Sequence, residues 1–116
     1  MTPEGKVKEQ VDALLARTPN CWWFKPSMNG FGRSGIPDYV GTIGPHSFVI
    51  EAKKYQGKPT PWQARELLRL MDVGCTSVLL ATADAAGQLV LRPFTREELT
   101  EALSVQAPKK RKPRAL

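Results

Sequence analysis

His46-Ser47-Phe48-Val49-Ile50-Glu51-Ala52-Lys53 has an apolar centre and ends in a carboxylate and an ammonium separated by one alanine. In an extended strand residues two apart share a face, so Glu51 and Lys53 point one way and Ala52 the other. A strand containing Phe48-Val49-Ile50 belongs inside a sheet, where charged groups are costly without partners. Pro37-Asp38 precedes it, and a tight turn at Gly44-Pro45 joins the two segments as a hairpin. Asp38 opens the first strand and Glu51 closes the second, so a hairpin of this length allows the two carboxylates to meet, the register being left open. Two carboxylates suit a hard divalent cation such as Mg²⁺. A cation held there activates water against a phosphodiester, with the lysine alongside. The plainer alternative is a solvent-exposed strand end carrying a weak ion pair, since Glu-x-Lys alone is a common triplet.

Working outward, Thr60-Pro61 places a helix cap before a proline at the first helical position, and Gly74 stops that helix near residue 73. Leu67, Leu70 and Met71 form its apolar stripe. Gln63 lies four residues before Leu67 on the same stripe, so it either meets a water or phosphate at the site or turns outward at the helix end. Thr2-Pro3 opens an earlier helix whose Val7, Val11, Leu14 and Leu15 recur at helical spacing up to about Arg17. Glu4 shares that inward face and either adds a third carboxylate to the site or favours the helix N-terminus electrostatically. Glu9 lies opposite and reads as solvated.

The remaining segments complete the architecture. Residues 21–25, 37–42, 47–53, 76–81 and 88–92 read as strands, and Thr95-Arg96-Glu97-Glu98 fits a capping box for a last helix to about Leu103. The order α-β-β-β-α-β-β-α predicts an α/β fold, a mixed β-sheet flanked by helices. No Gly-x-Gly-x-x-Gly opens a helix, which argues against a doubly wound nucleotide fold.

At 116 residues the chain suits one domain, read as residues 1–106 followed by a basic, disordered tail over 107–116. The net charge is +6, and Lys109, Lys110, Arg111, Lys112 and Arg114 supply five positive charges with no acidic residue among them. Such an arm reads as a sequence-independent phosphate binder or, more blandly, as a solubilising tail. Arg33 and Lys25, flanking a loop with three glycines between residues 27 and 35, read as further backbone-phosphate contacts, as does Lys54. No apolar run reaches the roughly 18 residues of a membrane span, and no secretory segment follows the N-terminus. The expectation is a cytoplasmic protein of a bacterium or phage-infected cell, with no membrane partner. Cys21 and Cys75 follow no metal spacing and read as buried thiols, and the single histidine, His46, makes a zinc site improbable on ligand count.

Gly35-Ile36-Pro37-Asp38, Glu51-Ala52-Lys53 and Thr60-Pro61-Trp62-Gln63 together resemble the PD-(D/E)xK nuclease superfamily, and within it the virus-type replication-repair nuclease (VRR-NUC) domain. The resemblance runs from Glu4 through Leu80. It implies a restriction-endonuclease-like fold and Mg²⁺ or Mn²⁺ held by Asp38, Glu51 and the backbone carbonyl of Ala52, with Glu4 as a further candidate. It also implies that Lys53 positions or activates the attacking water and that Gln63 orients near the site. The function so implied is structure-selective cleavage of branched DNA, as by a Holliday-junction resolvase. The alternatives are a flap or nick repair nuclease acting with replication or recombination proteins, and a non-catalytic DNA-binding protein. A junction presents two symmetric strands, so a homodimer is expected. Trp22, Trp23 and Trp62 offer apolar surface for one, although core packing explains them equally well.

Overall fold

The protein is described here from a computed structural model, which places residues 1–26 and 34–110, with the backbone alone over 105–110. Eight elements follow in the expected order: α1 (Pro3–Ala16), β1 (Cys21–Phe24), β2 (Tyr39–Ile43), β3 (His46–Ala52), α2 (Pro61–Asp72), β4 (Ser77–Ala83), β5 (Leu89–Pro93) and α3 (Arg96–Lys110). The five strands form one mixed sheet in the order β1-β2-β3-β4-β5. Only the β3–β4 pairing is parallel, because α2 carries the chain back across the sheet between them. Gly44, at φ +57°, opens the two-residue turn between β2 and β3, a conformation that a glycine adopts at little cost.

Alternation along β3 divides the core. Phe48, Ile50 and Ala52 pack with Val7, Val11 and Leu15 of α1, together with Tyr39 and Ala81. Val49 faces the other way, into a cluster with Ala64 and Leu67 of α2, Val78, Leu80, Phe94 and Leu99. The sheet is thus a middle layer, with α1 on one face and α2 and α3 on the other. Glu51 follows Val49 by two residues and so faces the α2 side.

Each helix start uses the predicted cap. Thr2 Oγ1 accepts the Gly5 N–H at 2.9 Å. Thr60 Oγ1 accepts the Gln63 N–H at 3.1 Å, and Gln63 Oε1 accepts the Thr60 N–H at 2.9 Å, a reciprocal capping box. Thr95 and Glu98 repeat it at α3, where Glu98 also takes a two-pronged contact from Arg92 at 2.8 and 2.9 Å.

Strand boundaries differ from expectation by one or two residues, so that Asp38 lies just before β2 and Lys53 just after β3, and the largest difference is in α3. The last helix was expected to stop near Leu103 but continues to Lys110. The apolar periodicity fades after Leu103, yet the helix runs on through Ser104-Val105-Gln106-Ala107, which hold no glycine or proline, and past Pro108 to Lys110. Both cysteines are free and half-buried. Among the described residues no helix is long and apolar enough to cross a membrane.

Candidate active site

The β2–β3 register sets the centre. Tyr39 pairs with Ile50, so continuing the antiparallel ladder by one step puts Asp38 opposite Glu51. Asp38 Oδ2 accepts the Ala52 N–H at 2.9 Å, which fixes the carboxylate where the β2–β3 ladder ends. Glu51 is only 2% exposed. Its Oε2 accepts from Gln63 Nε2 at 2.9 Å and lies 3.8 Å from Lys53 Nζ. The reading of Glu51 and Lys53 as an exposed strand end is excluded, since the Lys53 side chain is also only 12% exposed.

Gln63 reaches Glu51 because α2 starts beside the end of β3, and Gly35 permits that approach. Gly35 adopts φ +83°, and a Cβ there would lie 2.3 Å from the carbonyl oxygen of Trp62. The glycine therefore seats the turn leading into Asp38 directly on the first turn of α2. Next to Gln63, the Trp62 ring stays exposed and carries the Arg65 guanidinium at 4.5 Å.

The first helix supplies Glu4 and a residue that sequence reasoning missed, Lys8. Lys8 Nζ lies 3.7 Å from Glu4 Oε2 and 3.4 Å from Asp38 Oδ1. A lysine four residues after a glutamate reads in sequence as an ordinary helix-surface pair, and nothing local shows that a strand carboxylate lies beyond it. The backbone of Lys8 is pinned as well: the hydroxyl of Tyr39, wholly buried and next to Asp38 in the chain, contacts the Lys8 carbonyl at 3.0 Å and Asp12 Oδ1 at 2.7 Å. Burial and the Asp12 carboxylate push the Tyr39 hydroxyl pKa far upward, so it stays protonated.

Three carboxylates and two ammoniums thus converge. Glu51 bears the imbalance: burial first, then the charge of Asp38, push its pKa up to about 8, while Lys53 opposes the shift, Glu4 adds to it and Lys8 again opposes it. Its Oε1 is buried and has no hydrogen-bond partner. A buried, unpartnered carboxylate oxygen facing a second carboxylate is the donor chemistry a hard divalent cation takes. Among the described residues no three His, Cys, Asp or Glu side chains are grouped as a ready cage.

The other predicted contacts are distributed differently. Lys25 Nζ is engaged by Asp12 Oδ2 at 2.9 Å. Lys54 is exposed, and its carbonyl accepts from Thr82 Oγ1 at 2.9 Å. Arg33, Arg111, Lys112 and Arg114 lie outside the described residues, and Lys109 and Lys110 are described only as helix backbone. Trp22 is exposed beside Phe24, whereas Trp23 packs against the α1-side core.

The element order, the mixed sheet and its flanking helices define a restriction-endonuclease-like α/β fold. A solved structure bears this out: the chain is similar in fold to Archaeoglobus fulgidus Hjc, a Holliday junction resolvase from an archaeal hyperthermophile, with a TM-score of 0.57 over 77% of this chain and 75% of that one, at 13% sequence identity. No protein-family model matches the chain. No curated protein matches it either.

Proposed function

We propose that the protein is a divalent-metal-dependent, structure-selective DNA endonuclease of the PD-(D/E)xK type, with the VRR-NUC domain as its nearest motif resemblance. The observation that carries this reading is the buried Glu51 carboxylate with its unpartnered Oε1, set opposite Asp38 and flanked by Lys53. A protein that only binds DNA has no use for acidic groups concentrated where phosphate would approach. The similarity in fold to a Holliday junction resolvase supports branched DNA as the substrate.

Asp38, Glu51 and the Ala52 carbonyl would hold Mg²⁺ or Mn²⁺, with Glu4 nearby on α1. Such an ion would supply a bound water of lowered pKa and positive charge to offset that of the phosphate. Lys53 places a compact positive charge beside the attacking water and the phosphate oxygens. Gln63 keeps Glu51 Oε2 turned toward α2, which leaves Oε1 for the ion. The basic residues of the C-terminal tail add sequence-independent attraction to phosphate and make binding steeply salt-dependent. Cleavage of a four-way junction on two strands calls for a homodimer, for which exposed Trp22 and Phe24 offer apolar surface.

Titration with Mn²⁺ by calorimetry tests the centre. The wild type should show a saturable site that Asp38→Ala abolishes; a wild type without any such site would leave only a DNA-binding role.

A further inference from the structure

We infer that Lys8 is a resident cation of the acidic centre, occupying Asp38 until a divalent ion displaces it, and so sets the metal concentration at which the site fills. This rests on the metal-centre reading above and concerns its regulation.

Four observations carry it. The Lys8 ammonium lies between two carboxylates, 3.4 Å from Asp38 Oδ1 and 3.7 Å from Glu4 Oε2. Asp38 Oδ2 already accepts the Ala52 N–H, while Oδ1 is the oxygen that Lys8 approaches, so the ammonium stands at the less engaged oxygen of this carboxylate. The unpartnered Glu51 Oε1 belongs to the same cluster, and the charges of both Asp38 and Lys8 are felt at Glu51. The backbone of Lys8 is held by the buried Tyr39 hydroxyl, yet its side chain is 39% exposed. The residue is therefore anchored at its backbone, while its ammonium reaches solvent.

These properties describe a displaceable charge. Half-exposed ion pairs are individually weak, so exchange of Lys8 for a divalent ion costs little. A lysine carries its charge on a flexible four-carbon stem and swings toward solvent when repelled. Without metal the ammonium offsets repulsion between Glu4, Asp38 and Glu51. With metal it becomes a like charge beside the ion, and each such contact lowers metal affinity. Lys53 differs: it pairs with the other oxygen, Glu51 Oε2, and is nearly buried.

The test is calorimetric titration of Mn²⁺ into the DNA-free wild type, Lys8→Met and Lys8→Arg, together with the thermal shift that Mg²⁺ produces in each. The expected result is binding about two- to fivefold tighter in Lys8→Met, consistent with loss of one partly exposed charge contact. Lys8→Arg should stay near the wild type. Lys8→Met should also melt lower than the wild type in chelator and show the larger rise in Tm on adding Mg²⁺. The Tm comparison stands even if Lys8→Met folds less well. Unchanged or weaker Mn²⁺ binding by Lys8→Met, with a normal wild-type site, overturns the inference and leaves the metal centre intact. If neither protein binds Mn²⁺, the inference and the metal-centre reading fall together.

Discussion

Gln63 Nε2 donates to Glu51 Oε2 at 2.9 Å while Oε1 of the same side chain accepts the Thr60 N–H at 2.9 Å. The capping box thus settles which end of the amide faces the carboxylate, and one residue both starts α2 and orients the centre. Thr60→Ala should cost about 1 kcal/mol through the cap alone. Gln63→Ala removes the cap partner and the Glu51 contact, for roughly 2 kcal/mol. Urea denaturation should rank them in that order, and Gln63→Ala should slow DNA cleavage the more strongly of the two.

Glu51 makes the metal-free protein less stable as pH rises. Its folded pKa of about 8 lies above the ordinary 4.5, so the folded state holds the proton more tightly. The associated stability is fully present below about pH 4.5 and is lost as pH rises toward 8. Glu51→Gln should therefore be the more stable protein at pH 7 in chelator, by on the order of 2–3 kcal/mol. Its Tm should lack the Glu51-linked decline with pH. Mg²⁺ should raise the Tm of the wild type at pH 8 and not that of Glu51→Gln.

Gly35 and Gly87 have nearly the same backbone angle, φ +83° and +87°, but different surroundings. A Cβ at Gly87 meets nothing within 4 Å, whereas one at Gly35 meets the Trp62 carbonyl. Gly87→Ala should cost about 1 kcal/mol from the left-handed conformation alone. Gly35→Ala should cost about 2–3 kcal/mol and also weaken Mn²⁺ binding, because Asp38 follows three residues later. Equal stability losses in chemical denaturation would remove the packing role given to Gly35.

Glu98 provides a pH control remote from the centre. Its contact with Arg92 holds its pKa below the usual carboxylate value. The stability it contributes is present above about pH 4.5 and is lost as pH falls through the lowered folded value. The pair is partly exposed, so Glu98→Gln should cost less than about 1 kcal/mol of ion-pair energy. Mn²⁺ affinity should stay at the wild-type value.

Much of this was legible in the residues. Period-two and period-3.6 patterns, the caps at Thr2, Thr60 and Thr95 and the turn at Gly44 gave every element and its order. The length of one hairpin allows Asp38 and Glu51 to meet without fixing the register, which the Tyr39–Ile50 pairing supplies. Local signals could not show what reaches across elements. Gln63 reads in sequence as meeting a water or phosphate or as turning outward, whereas its side chain bonds Glu51 and Thr60, and the contact with Glu51 crosses between elements that no local spacing relates. Lys8 was missed because its decisive partner lies on another element. The end of α3 was not legible because fading periodicity after Leu103 marks the loss of a buried face and not the end of the helix, which continues past Pro108 to Lys110.

Incubating the protein with Mg²⁺ and a panel of labelled DNAs (a mobile four-way junction, a 5′ flap, a nicked duplex and plain duplex) tests the central claim most directly, with Lys53→Ala as the control. The account predicts paired, symmetric cuts in the junction that the variant fails to make. Wild type and variant binding every DNA alike, with none of them cut, would contradict it.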